Sequence, residues 1–213
     1  MDRRKALRHI GYSAGFMVAT PTVLSILQSC TTEQASWIPA NLSEDEGKML
    51  KRVVDIIIPK TDSPSASEVN VPEFMDKYIG DAINENDQII VRWKIKGLTD
   101  QLKAAYNEDP SKITDEEYTE FLTKNLKEAS KGAYELFGKF DSYTDAIMKG
   151  EDIESEPLVV SFTALHDIRD MVIFAYKNSE MVGEQVLAYD PVPGAYIGCD
   201  DLQKLTGGKA WSL

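Results

Sequence analysis

From Leu42 to Asn178 the apolar residues fall three and four positions apart behind recognisable helix starts, and that spacing confines the chain to helices packed on helices. Ser43 with Glu46 is a capping box, in which each side chain satisfies the other residue's backbone N–H. Leu50, Val53, Val54 and Ile57 follow at helical steps up to a stop at Pro59. Asn70 with Glu73 repeats the pattern with Pro72 in the first turn, where a missing N–H costs nothing. Phe74, Tyr78, Ile79 and Ala82 are expected to form the apolar face of that second helix. Val91, Ile95, Leu98, Leu102 and Ala105 predict a third, reaching about Tyr106. Thr114 with Glu117 opens a fourth through Tyr118, Phe121, Leu122, Leu126 and Ala129, and a shorter stretch spans residues 134–148 with Gly132, Gly138 and Gly150 loosening it. Pro157 opens the best core helix, with Leu158, Phe162, Leu165, Ile168, Val172 and Ala175 on one side and an end near Asn178. Beyond a short helix near residues 182–187, Pro191, Pro193, Gly194, Gly198, Gly207 and Gly208 deny the chain long regular structure. No alternating run of strand length and no fixed-period repeat occurs. The expected fold is all-α, a single irregular helical bundle with an extended Pro/Gly-containing C-terminal tail.

The first residues carry a different pattern. Arg3, Arg4, Lys5 and Arg8 form a basic cluster ahead of an apolar stretch from Ile10 to Leu27, the layout of an export signal. Gly11, Ser13, Gly15, Thr20, Pro21 and Thr22 make this stretch less apolar than a membrane-spanning helix, which needs about 20 predominantly apolar residues. Arg3-Arg4 followed by Leu7 and Arg8 resembles the twin-arginine address, which routes folded proteins across the membrane, although Ala6 stands where an aromatic is usual. Leu27-Gln28-Ser29-Cys30 resembles a lipobox, whose cysteine is acylated and becomes the new N-terminus. The expected organisation is a signal over residues 1–29, a tether over 30–41 and a helical domain over 42–213, exported and lipid-anchored on the periplasmic side. Each buried acyl CH₂ would contribute about 0.8 kcal/mol to that attachment.

Removing residues 1–29 takes four cations and one carboxylate with it, so the net charge moves from −12 to −15. Such a surface repels phosphate backbones, and no Lys/Arg stripe interrupts it, which argues against nucleic-acid binding. Cys199 is the only cysteine besides Cys30, so once Cys30 is acylated no intramolecular disulfide can form and stability must come from packing.

Chemistry-bearing residues are sparse. His166 stands four residues before Asp170, a spacing that suits an oriented base or half a metal site, but no second histidine or cysteine cluster completes one. Glu151, Asp152, Glu154 and Glu156 could offer oxygens to calcium, or simply favour the start of the next helix. There is no Gly-rich phosphate loop after a strand, no Cys-x-x-Cys-His and no serine in a nucleophile elbow.

The segments IIIPKTDSPSASEVNVPEF (56–74) and MVIFAYKNSEMVGEQVLAYDPVPGAYIGC (171–199) resemble the gluconate 2-dehydrogenase subunit 3 family. The resemblance implies a small accessory subunit that binds no cofactor itself. Its partner would be a large flavin-dependent subunit of the glucose-methanol-choline group, carrying FAD and oxidising sugars or sugar acids, with a cytochrome c subunit as a further partner. It also implies that the small chain supplies the export signal, Arg3 and Arg4, for both, with Cys30 as the lipidation site. Pro59 and Asp62 match the family's Ile-Pro loop, and Tyr189, Pro191, Pro193, Gly194 and Tyr196 match its tail, so these residues are the implied partner interface. The chain departs from the family where Asp62-Ser63-Pro64-Ser65 replaces a more glycine-rich stretch, and its tail lacks the usual Tyr-Gly-Gly-Asn. Two rivals are a stand-alone lipid-anchored enzyme using Asp62, Asp167 and Asp170, and a lipid-anchored glycan-binding protein stacking sugars on Trp37, Trp93 or Trp211.

Overall fold

The computed structural model describes residues 37–192, 194 and 199–212. Arg3, Arg4, Cys30, Pro193 and Tyr196 therefore lie outside the described residues. Among these residues seven α-helices run in order: α1 Glu44–Ile57, α2 Val71–Lys77, α3 Glu85–Ala105, α4 Asp115–Leu122, α5 Ala133–Lys149, α6 Pro157–Lys177 and α7 Leu202–Thr206. Among the described residues the only β-type pairing is an isolated bridge, so the fold is all-α as expected. No helix among these residues is long and apolar enough to cross a membrane.

Local chemistry sets most of the helix starts. The Ser43–Glu46 and Thr114–Glu117 capping boxes both form, with Ser43 N–H donating to Glu46 at 2.7 Å and Thr114 N–H to Glu117 at 2.8 Å. Asn84 caps α3 by accepting from Asp87 N–H at 3.0 Å. The expected Asn70–Glu73 box does not form. Asn70 adopts the left-handed conformation, φ 60°, because it closes the preceding 3₁₀ turn Ser67–Val69, and its side chain makes no cap bond. Three helical segments relax into wide π turns, Tyr78–Ala82 after α2, Thr123–Glu128 after α4 and Val182–Val186 beyond α6.

Helix α6 is the axis of the body, and α1, α2, α3 and α5 all pack on it. Seven consecutive residues, Val159 to Leu165, are buried, so this half of the helix is enclosed on every side. Ile168, Val172, Ala175 and Tyr176 then keep only one side covered, and Ile173 and Phe174 stand exposed. Leu158, expected in the core, is exposed at the helix entrance. The face of α2 is also rotated from expectation. Val71, Pro72, Met75, Asp76 and Ile79 point inward, while Phe74 and Ala82 face solvent.

The inward carboxylate of Asp76 has a task. It accepts backbone N–H bonds from Ala40, Asn41 and Leu42 at 2.7, 2.9 and 2.9 Å. Arg92 donates to the Asn41 carbonyl. A Cβ on Gly80, in the π turn after α2, would fall 2.1 Å from the Asn41 side chain and force that side chain to shift. Ala40 and Asn41, counted by the sequence as tether, are thereby fastened to the helical body.

Candidate partner interface

Pro59 and Asp62 lie on an exposed loop that leaves α1, and the loop is held in one shape by its own polar groups. Ala66 N–H reaches back to the Ile58 carbonyl at 3.1 Å, Ser67 N–H donates to Asp55 at 2.8 Å, and Ser65 N–H donates to Glu68 at 2.9 Å. Hydrogen bonds from the Lys60 ammonium and from Ser65 N–H hold the Glu68 carboxyl below its ordinary pKa. The hydroxyl of Tyr176 donates to the Pro64 carbonyl at 2.8 Å and ties the loop to the end of α6. Residues 60–64, Glu68 and Met181 surround an open depression of about 460 Å³ here.

The tail closes on itself. Ala188 N–H donates to the Ala210 carbonyl at 2.9 Å, and Ser212 N–H donates to the Ala188 carbonyl at 2.8 Å, so the tail is fastened where its two ends meet. Tyr189, Pro191 and Gly194 are exposed on the tail, together with Val192 and Leu202, while Trp211 is exposed where the ends meet. Helix α7 in the tail went unforeseen. Its signals were present in Asp201, which caps Lys204 N–H at 3.1 Å, and in Gly207 just past its end.

The chemistry-bearing side chains are engaged with one another. His166 packs edge-on against Phe137 at 5.0 Å between ring centroids. Arg169 can only donate, so at 3.2 Å it makes His166 Nε2 the acceptor, and the ring proton sits on Nδ1, 3.5 Å from Asp170. Arg169 also grips Asp170 through Nε and Nη2 at 3.0 and 2.8 Å. Asp167 accepts from Lys94 at 2.7 Å, and the Lys94 ammonium lies 4.0 Å from the Phe140 ring centre. Asp62 borders the loop depression, whereas Asp170 borders a separate one with Ile173, Phe174, Lys177 and Asn178. Glu156 pairs with Lys139 at 3.0 Å, and among the described residues no group of three His, Cys, Asp or Glu side chains is placed to hold a metal ion. Trp93 is half-buried against Phe140, Trp37 is half-buried and Trp211 is exposed.

Of the residues the sequence implies for the interface, Pro59 and Asp62 are exposed on a loop tied to the end of α6, and Tyr189, Pro191 and Gly194 are exposed on the tail. Sequence reasoning missed the rings of Phe74, Tyr78 and Phe174, which meet between α2 and α6. Phe74 and Tyr78 are spaced by four residues, as a core face would be, so spacing alone gave no sign of their exposure.

Residues 44–194 match the family model described as gluconate 2-dehydrogenase subunit 3. No curated protein and no solved structure matches the chain.

Proposed function

This chain belongs to the gluconate 2-dehydrogenase subunit 3 family, and on that premise we propose that it is a non-catalytic accessory subunit of a flavin-dependent sugar or sugar-acid dehydrogenase. The match carries the reading, because it spans α1 to α6, the whole of the body that packs around α6. The partner is a large subunit of the glucose-methanol-choline type with FAD bound in it, and a cytochrome c subunit completes the complex. Arg3 and Arg4 supply the export address for both chains, and acylated Cys30 holds the assembly at the periplasmic face of the membrane.

The physical logic joins export to maturation. A flavin is inserted as its protein folds in the cytoplasm, so the loaded subunit must cross the membrane folded. A twin-arginine address suits that cargo, and one address serves two chains if they are already docked. Replacement of both arginines, Arg3→Lys with Arg4→Lys, is expected to leave this chain and its partner's dehydrogenase activity in the cytoplasm. Partner activity reaching the periplasm undiminished would overturn the co-export role.

A further inference from the structure

Three aromatic rings lie against one another on the outside of the body. Phe74 and Tyr78 stack at 5.6 Å with an interplanar angle of 20°, and Phe174 leans on both at 6.2 and 6.1 Å. Phe74 is 40 % exposed, Phe174 50 % and the adjoining Ile173 43 %, so much of this mat meets water. The arrangement is local, since α6 is wrapped completely only three turns earlier, at Val159 to Leu165. Beside the mat is an open depression of about 350 Å³ bordered by Asp170, Ile173, Phe174, Lys177 and Asn178. Clustered apolar surface of this kind marks a place where another surface sits, because each Å² left in water forgoes about 25 cal/mol.

We infer that the Phe74–Tyr78–Phe174 mat with Ile173 seats a non-identical protein subunit, one presenting an apolar socket rimmed with Lys or Arg. The inference rests on the accessory-subunit reading above and adds the surface through which the partner is held. Charge selects against a second copy. The chain carries −12, and with Asp170 already paired to Arg169, Glu73, Asp81 and Glu180 flank the rings along the chain against Lys77 and Lys177, so a copy of the same chain would bring like charge to a largely desolvated contact. Geometry keeps residues 40–42 away from the mat. Residues 40–42 are bound by Asp76, which lies two positions from both Phe74 and Tyr78 and hence about 160–200° around α2 from them. These three residues are fastened on the inward side of the helix, and Phe74 stands on the outward side. All four residues of the mat fall within the matched span 44–194.

The test uses the full chain purified with its partner from native membranes in mild detergent. Phe74→Ser combined with Phe174→Ser should lower the retained partner at least about tenfold, the size of effect that loss of aromatic anchors has at an interface. Helical circular dichroism should be unchanged. Tyr134→Ser, at a 95 % exposed ring on α5 outside the mat, should retain the partner fully. Hydrogen exchange over residues 71–82 and 168–178 should slow in the wild-type complex relative to the free chain. A partner retained equally by the double variant overturns this surface and leaves the accessory-subunit reading standing. A wild-type chain that carries no partner overturns both. A free chain that dimerises with rising concentration, and loses that dimer in the double variant, overturns the choice of occupant.

Discussion

Asp76 accepts three backbone N–H groups while only 1 % of its surface meets solvent, so Asp76→Asn should cost about 3 kcal/mol. The amide keeps one acceptor oxygen and turns its NH₂ toward donors. Urea midpoints would register the loss, and amide exchange at residues 40–42 should accelerate with it; an unchanged midpoint would contradict the role. Tyr118 is fully buried with its hydroxyl donating to the Pro110 carbonyl at 3.1 Å, and burial raises its phenol to about 12 from 10.0. Between those values the folded chain holds a proton that the unfolded chain has lost, so stability is intact below pH 10 and drains away as the pH rises toward 12. The loss amounts to roughly 3 kcal/mol, and in Tyr118→Phe that part of the alkaline decline should vanish. Unfolding measured on both sides of pH 10 would contradict this if both proteins declined alike. Ser43 and Thr114 were legible as caps because each is answered three residues away. Asp76 was not, since its donors lie 34 to 36 residues earlier and no local pattern marks them.

Helices α3 and α6 cross closely at Gly97, where a Cβ would come within 2.8 Å of Val160 Cγ1. Alanine is favoured over glycine inside a helix by about 1 kcal/mol, yet Val160 is stiff at χ1 and cannot step aside. Gly97→Ala is therefore expected to destabilise the chain by about 1–2 kcal/mol, and Val160→Ala in the same chain should recover part of it. A double-mutant cycle with no coupling would show that the crossing tolerates a wider separation. At this scale α1, α4 and α6 were legible because apolar spacing agreed with a cap or an N-terminal proline, and α3 from apolar spacing alone. The start of α2 was legible in Asn70 and Pro72, but its capping box does not form because the 3₁₀ turn before it drives Asn70 into the left-handed region and away from a cap geometry. Its face was misjudged because Phe74 and Tyr78 share helical spacing with a core stripe, yet Phe74 stays exposed and Tyr78 only half-buried, with Phe174 leaning on both. Helix α7 was hidden by the glycines and prolines on either side of it, although its own cap and terminator are ordinary.

For the molecule as a whole, an all-α body was legible because helical periodicity runs almost unbroken from Leu42 to Asn178. How the helices assemble was not, because the all-round burial of Val159 to Leu165 makes α6 an axis instead of one stave among several. The Pro59–Asp62 loop and the tail drew notice through residue types that resist regular structure, and the loop is tied to the C-terminal end of α6 through Tyr176. The aromatic mat became visible only when α2 and α6 were placed side by side. On this account the molecule is a folded adaptor whose exposed apolar surface belongs to a larger flavin-bearing companion. Affinity purification of the full chain from native membranes in mild detergent, with the eluate examined for flavin absorbance and for the masses of its chains, tests that most directly. A larger flavin-containing chain should elute with this one in fixed ratio. Elution of this chain alone and colourless, or turnover of a sugar by this chain without any other, would contradict the account.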